Sequence, residues 1–242
     1  MPSFAAIRKR AEARKGGAAA LAALLPPPPD PAALRALPDD RALAEMTRRI
    51  FCAGFVWRVI EQKWPGFEAA FHGFDIARLC FEPDEYWEAL GRDKAIVRHG
   101  AKIMAVRANA RFVADIAAGH GSFGRFVADW PAGDQLGLLD VLARRGTRLG
   151  GMTGQYLLRF LGRDGWITSR DMVACLRDAG LDISEAPTSR RELRLVQAQL
   201  GAWAAETGLP LTHLSRICAM SVGSNNDAAS AQGAGIQDDR ES

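Results

Sequence analysis

The stretch Arg145-Gly146-Thr147-Arg148-Leu149-Gly150-Gly151-Met152-Thr153-Gly154-Gln155-Tyr156-Leu157-Leu158-Arg159-Phe160-Leu161 decides how the rest of the chain is read. Before it, apolar residues at helical spacing (Leu136, Leu139, Leu142) end in Arg144-Arg145-Gly146. Cations followed by a glycine that can turn left-handed at C′ are a helix C-terminal signature. After it, Tyr156, Leu157, Phe160 and Leu161 return at helical spacing, with Thr153 placed to cap a second helix. The pattern predicts two helices joined by a glycine-rich hairpin. The first turn of a helix carries backbone N–H groups without intrahelical partners and the positive end of the dipole, which suits a phosphate. Arg144, Arg145 and Arg148 stand beside that end. The expected phosphate-facing set is Arg148, Gly150, Gly151, Thr153 and Gly154. The plain alternative is that the glycines only let two helices pack closely.

The chain has 242 residues, 48% hydrophobic and 24% charged, enough for one large domain or two small lobes. Leu- and Ala-rich stretches dominate and alternation is almost absent, so the expected fold class is all-α. A formal charge of +3 does not by itself imply a nucleic-acid partner, because local clustering decides electrostatic binding. Local basic groups exist at Arg8-Lys9-Arg10 with Arg14-Lys15, and at Arg98, Lys102, Arg107 and Arg111. Cys52, Cys80, Cys175 and Cys218 lack the short spacings of a metal or redox pair. They read as reduced thiols of a cytoplasmic protein with no disulfide. The apolar run Ala18 to Leu25 is too short to cross a bilayer, so no membrane association is expected.

Residues 1–30 read as a basic N-terminal arm ending in the proline-rich linker Pro26 to Pro29, residues 31–223 as a helical domain and residues 224–242 as a disordered tail. Within the domain, Asp39-Asp40 reads as a helix cap and Gly54 as a break. Pro65-Gly66 reads as a turn opening a helix over Phe67 to Phe71. Ile96 to Ala117 reads as a long helix, interrupted near Arg98-His99-Gly100, that would place Arg98 and Lys102 on one face able to meet phosphates. Asn109, inside the apolar stripe, is expected to bond a backbone group. Ser169 is a cap for a helix over 170–179, and Ser189 with Glu192 is a capping box.

A helix, a glycine hairpin and a helix with flanking arginines resembles the helix-hairpin-helix element of the DNA glycosylase superfamily. Two upstream blocks are more specific. Ala53-Gly54-Phe55-Val56-Trp57, followed by Phe67-Glu68-Ala69-Ala70-Phe71-His72-Gly73-Phe74-Asp75, resembles the start of the 3-methyladenine DNA glycosylase I family. Ile96-Val97-Arg98-His99-Gly100-Ala101-Lys102-Ile103 with Ala108-Asn109-Ala110 is similar to the same family's Arg, Lys-Ile and Asn-Ala motif. Order and spacing agree across residues 43–176. The resemblance implies a two-lobed, all-α helix-hairpin-helix glycosylase-like fold. It also implies hydrolysis of the N-glycosidic bond of alkylated purines, foremost 3-methyladenine, in base excision repair. Chemistry on a base requires the base to leave the stack, and Trp57 matches the family's stacking tryptophan, with Phe55 beside it.

The chain departs from the family where recognition is concerned. The family's adenine-reading glutamate matches Arg49, which cannot accept a hydrogen bond; Glu45, one turn earlier, is a carboxylate candidate. The family's zinc ligands have no counterparts, so no metal and no cofactor are expected. Members of the superfamily place a catalytic aspartate beyond the hairpin. Asp171, sixteen residues after Gln155, stands near that place and could stabilise an oxocarbenium-like sugar, or simply sit in a helix cap. Gln155 occupies the position of the nucleophilic lysine of bifunctional members, so hydrolysis is expected to be monofunctional. The expected partner is damaged DNA, bound by a monomer. The competing expectations are a catalytically inactive DNA-binding protein on the same scaffold and a helical protein-interaction module.

Overall fold

The structure is a computed structural model that describes residues 3–223, so the tail read at 224–242 lies outside the described residues. All regular structure among the described residues is helical. The α-helices are α1 (Phe4–Lys15), α2 (Ala18–Ala23), α3 (Pro31–Arg35), α4 (Asp39–Cys52), α5 (Trp57–Ala70), α6 (Ile76–Phe81) and α7 (Asp84–Leu90), then α8 (Gly100–His120), α9 (Phe123–Asp129), α10 (Gln135–Arg145), α11 (Gly151–Phe160), α12 (Arg170–Asp178), α13 (Arg190–Thr207) and α14 (Leu211–Ser221). The all-α expectation is met. The described chain divides into two compact units, one of residues 3–30, 131–138 and 162–223, the other of residues 31–130 and 139–161.

In the first unit, α14 is the central helix, and α1, α12 and α13 pack against it. Phe4, Leu21, Trp166, Leu176, Trp203, Leu214 and Ile217 fill its core, with the Phe4 and Trp203 rings 5.4 Å apart. The loop entering α12 is held by a buried side-chain amide. Gln135 Nε2 donates to the Trp166 carbonyl at 2.8 Å, and the Trp166 N–H donates to Gln135 Oε1 at 2.9 Å. The Ser189–Glu192 capping box forms, and Ser169 Oγ accepts from the Met172 N–H at the head of α12. Gly16-Gly17, both with positive φ, separate α1 from α2.

In the second unit, α4 packs along α8 through Leu43, Met46, Ile50 and Phe51 against an α8 stripe of Ile103, Val106, Ala110 and Val113. Asp39 does not cap its own helix as expected; its Oδ1 accepts from the Phe123 N–H at 2.7 Å, fastening α9. The expected turn at Pro65-Gly66 is also absent, because α5 continues from Trp57 to Ala70 through it. Proline fixes φ in the helical range and removes one N–H, which α5 tolerates. Gly66 is needed for close approach instead, since a Cβ there would run into the Ala95 carbonyl. Continuity places Trp57, Glu61, Trp64 and Glu68 on one face of one helix.

The hairpin between α10 and α11 forms, and Asn109 of α8 secures it. Asn109 Nδ2 donates to the Thr147 carbonyl at 3.0 Å and the Thr147 N–H donates to Asn109 Oδ1 at 2.8 Å, from a side chain with no exposed surface. Replacing Asn109 by Ala removes both bonds to the turn, so a loss of about 1–2 kcal/mol is expected. Chemical denaturation measures it, and amide exchange should accelerate at 146–150; an unchanged stability would contradict the clamp.

Candidate functional site

The hairpin turn is built differently from the sequence expectation. Gly146 is not left-handed; its absent side chain leaves room for Leu149, since a Cβ would lie 2.6 Å from Leu149 Cδ1. The left-handed residues are Arg148 (φ 60°) and Gly151 (φ 57°). For an arginine this conformation costs about 1–2 kcal/mol. Helix α11 starts at Gly151 with Gly150 as N-cap and no capping side chain, so Thr153 is in the first turn rather than at the cap. Gly150, Gly151 and Arg148 are exposed and Thr153 is half-buried. Gly154 is buried, and a Cβ on it would lie only 2.5 Å from the Leu149 carbonyl and 3.1 Å from Leu139. It therefore serves the packing of the hairpin and cannot face a phosphate.

Arg98 and Lys102 do not share a helix face, because α8 begins only at Gly100. Arg98 precedes the helix and is exposed, whereas Lys102 is 5% exposed. Lys102 Nζ donates to the carbonyls of Phe51 and Ala53 and stands 4.4 Å from the Phe55 ring centroid. Burial, with the positive charge of Arg148 second, pushes Lys102 down to about 8. An ammonium spent on two carbonyls at a chain reversal shapes the 51–55 loop and is not available to phosphate. Phe55, Val56, Trp57 and Val59 form an apolar patch there, with Val56 70% and Trp57 40% exposed.

Behind the patch, α4 and α5 present facing polar stripes. Arg49 Nε lies 2.7 Å from Glu45 Oε1, and the Arg49 guanidinium lies 3.8 Å from the Phe160 ring centroid of α11. Arg48 is 3.6 Å from Glu61 and 4.1 Å over the Trp64 ring. Arg41 donates twice to Glu68, at 2.9 and 3.2 Å, and Trp64 Nε1 donates to the same carboxylate at 2.9 Å. These groups surround a cavity of about 340 Å³ lined by Arg41, Glu45, Arg48, Trp64, Glu68 and Phe160 with Leu37, Ala44 and Leu161. Burial raises the Glu45 carboxyl above its ordinary value, outweighing the nearby Arg49 and Arg48 charges. Cys52 is raised likewise, by burial first and with Arg49 opposing.

Of the residues expected to bind a base, Trp57, Phe55 and Arg49 belong to this second unit, as does Glu45, but only Glu45 lines the cavity. Trp57 shares the α5 face that leads to it through Glu61 and Trp64. Asp171 belongs to the first unit, half-buried in the first turn of α12, where Ser169 already provides the cap. A Cβ on Gly223 would meet its carboxylate at 3.0 Å. Among the described residues no group of His, Cys, Asp and Glu is gathered as a metal site, and no helix is long and apolar enough to cross a membrane. Sequence reading missed Arg48, Trp64, Glu68 and Phe160. The signal was available in the spacing 57, 61, 64, 68, and the assumed break at Pro65 concealed it.

Comparison with known proteins gives three findings. A family model described as methyladenine glycosylase matches residues 35–137. The DNA-3-methyladenine glycosylase 1 of Escherichia coli (strain K12) is 37% identical over 59 residues, 24% of this chain and 32% of that protein. The match thus spans about a third of that relative's length. A crystal structure of 3-methyladenine DNA glycosylase I (TAG) is 25% identical, with a TM-score of 0.45, over 52% of this chain and 79% of that one. The family named by the sequence blocks is the family whose model matches.

The raised Glu45 carboxyl makes a pH-dependent contribution. A carboxyl with a raised folded pKa holds its proton longer in the native than in the unfolded chain, so its stabilising contribution is present at low pH and lost as pH rises through the folded value. Glu45→Gln is neutral throughout. Its melting temperature relative to wild type should therefore rise from pH 4 to pH 7, and a difference independent of pH would contradict the burial of Glu45.

Proposed function

We propose, from the match of residues 35–137 to the methyladenine glycosylase family, that this protein is a DNA glycosylase that hydrolyses the N-glycosidic bond of alkylated purines, 3-methyladenine foremost, in base excision repair. The observation that carries the reading is the placement of Trp57. It heads α5 in an exposed apolar patch, on the same helix face as the residues that line the cavity, and lies inside the matched segment.

In this reading the exposed turn holds a DNA strand. Gly150 and Gly151 bring the N-terminus of α11 close to a phosphate, and the strained Arg148 presents a guanidinium next to it. A base turned out of the stack lies on the Trp57 indole, with Phe55 beside it. An N-alkylated purine still joined to deoxyribose is a cation, so it stacks well on an electron-rich ring and leaves readily as the neutral base. Bond cleavage places positive charge on the sugar. A carboxylate offsets that charge and orients the attacking water; Asp171 and Glu45 are the carboxyl candidates, and only Glu45 belongs to the unit that carries Trp57. With Gln155 buried in α11 and no lysine there, a Schiff-base step has no nucleophile at that position, and the reaction is monofunctional.

The decisive experiment is incubation of the purified protein with methylated duplex DNA, followed by mass spectrometry of the released bases. Free alkylated purine is the expected product, and its absence would refute the reading. Trp57→Ala should reduce release by at least a hundredfold while leaving the circular dichroism spectrum unchanged, since Trp57 is 40% exposed and lies outside the fully buried core. Arg148→Ala should weaken binding to all DNA sequences equally and lower the salt dependence, because a phosphate contact carries no sequence information. A loss confined to one sequence would contradict that placement.

A further inference from the structure

Among the described residues no hydrogen bond, ion pair or ring contact holds the indole of Trp57, which is 40% exposed. Where it stands is set by the backbone that delivers it, residues 53–56 between α4 and α5. That reversal makes few bonds of its own. The Ala53 N–H still belongs to α4, donating to the Arg49 carbonyl, the Phe55 N–H donates to the Cys52 carbonyl at 3.3 Å, Gly54 is left-handed (φ 75°), and no side chain caps α5. Its fixed point comes from another helix. Lys102, in the first turn of α8 and 5% exposed, donates from Nζ to the carbonyls of Phe51 and Ala53 at the C-terminal end of α4. The same ammonium stands 4.4 Å from the Phe55 ring centroid, and His99, the N-cap of α8, sets its ring edge-on to Phe55 at 6.1 Å.

Two carbonyls that converge on one buried point need a donor with two hydrogens to give, which an ammonium has and an apolar side chain lacks. A cation there also complements the negative end of the α4 dipole and the face of the Phe55 ring. Groups that meet a substrate must be held closely, since a displacement of about 1 Å can cost on the order of a hundredfold in rate. We infer that Lys102 is a positioning residue of the excision reaction, fixing the 53–56 reversal and thereby the place where the Trp57 indole meets a turned-out base. This role rests on the glycosylase reading and adds a buried residue to its machinery. The groups that act on the ammonium are Cys52 at the end of α4, which supports its charge, and the positive Arg148 of the hairpin, which opposes it; His99 Nδ1, on its own helix, accepts from the Lys102 backbone N–H. Burial, with Arg148 second, pushes Lys102 down to about 8, so the charge is lost as pH rises through that value. The neutral amine draws the carbonyls and the ring less strongly, and the reversal loosens.

The full chain, in excess over methylated duplex DNA, is followed through one turnover by mass spectrometry of the released 3-methyladenine, and its affinity for unmethylated duplex is measured separately. Lys102→Met, of similar length and without donors, should lower the single-turnover rate at saturating protein at least tenfold and change the affinity less than twofold. A general loss of stability does not produce that split in a variant that is folded by circular dichroism. The wild-type rate should fall as pH rises through about 8. Lys102→Arg, whose guanidinium stays charged, should keep more of the rate than Lys102→Met and lack that fall, and it carries the test alone if the Met variant does not fold. A folded Lys102→Met that excises at the wild-type rate, a loss confined to affinity, or the same fall with pH in Lys102→Arg overturns the inference and leaves the glycosylase reading standing. Release of no base by the wild type overturns both.

Discussion

One buried carboxamide holds the hairpin in place. Asn109 sits in the middle of α8 with no exposed surface and satisfies both the N–H and the carbonyl of Thr147. The turn between α10 and α11 has few other ways to satisfy its backbone, since no side chain caps α11 and the chain passes through a left-handed arginine. A buried carboxamide without partners is costly, so Asn109 keeps these two bonds and ties the turn to the longest helix of its unit. Everything the hairpin presents, from the exposed Gly150 and Gly151 to the guanidinium of Arg148, depends on that register. Gln135 does the corresponding work in the other unit, where the same reciprocal pairing holds the loop at Trp166.

A second constraint is the handling of charge along α4 and α5. Arg41, Arg48 and Arg49 alternate with Glu45, Glu61 and Glu68 across the two helices, and each guanidinium also lies near an aromatic ring. Paired charges with long, bent or unmade hydrogen bonds are weak contributors to stability once desolvation is counted. Four of them, Arg41, Glu45, Arg48 and Glu68, line the cavity. Lys102 shows the opposite use of a cation. It is consumed entirely by the carbonyls of Phe51 and Ala53, and its burial builds the loop that carries Phe55 and Trp57.

Several of these features were legible in the residues alone. Helical periodicity located the two helices of the hairpin and the long α8, because an amphipathic stripe at a 3.6-residue period is a local property of the chain. The Ser189–Glu192 capping box, the Ser169 cap and the backbone role of Asn109 were also readable, each resting on partners within one turn or on a polar group in an apolar stripe. The site was less legible. Pro65 and Gly66 carry strong local signals for a turn, yet α5 runs through them because packing of Gly66 against Ala95 outweighs the single lost hydrogen bond. That continuity, invisible to local turn signals, is what aligns Trp57, Glu61, Trp64 and Glu68 on one face.

The sequence by itself determined the class of fold, the helices of the hairpin and of α8 and, through its blocks at 53–75 and 96–110, the family to which residues 35–137 are matched. Those properties depend on neighbours three or four residues away and survive without knowledge of what packs on them. Only the tertiary structure decided which polar groups are still free to act. It removed Lys102 and Gly154 from the surface, moved the start of α11 to Gly151 and brought Phe160 under Arg49. Burial and hydrogen-bond satisfaction are set by residues distant in the chain, so a cation that looks open in sequence can be fully spent in the fold.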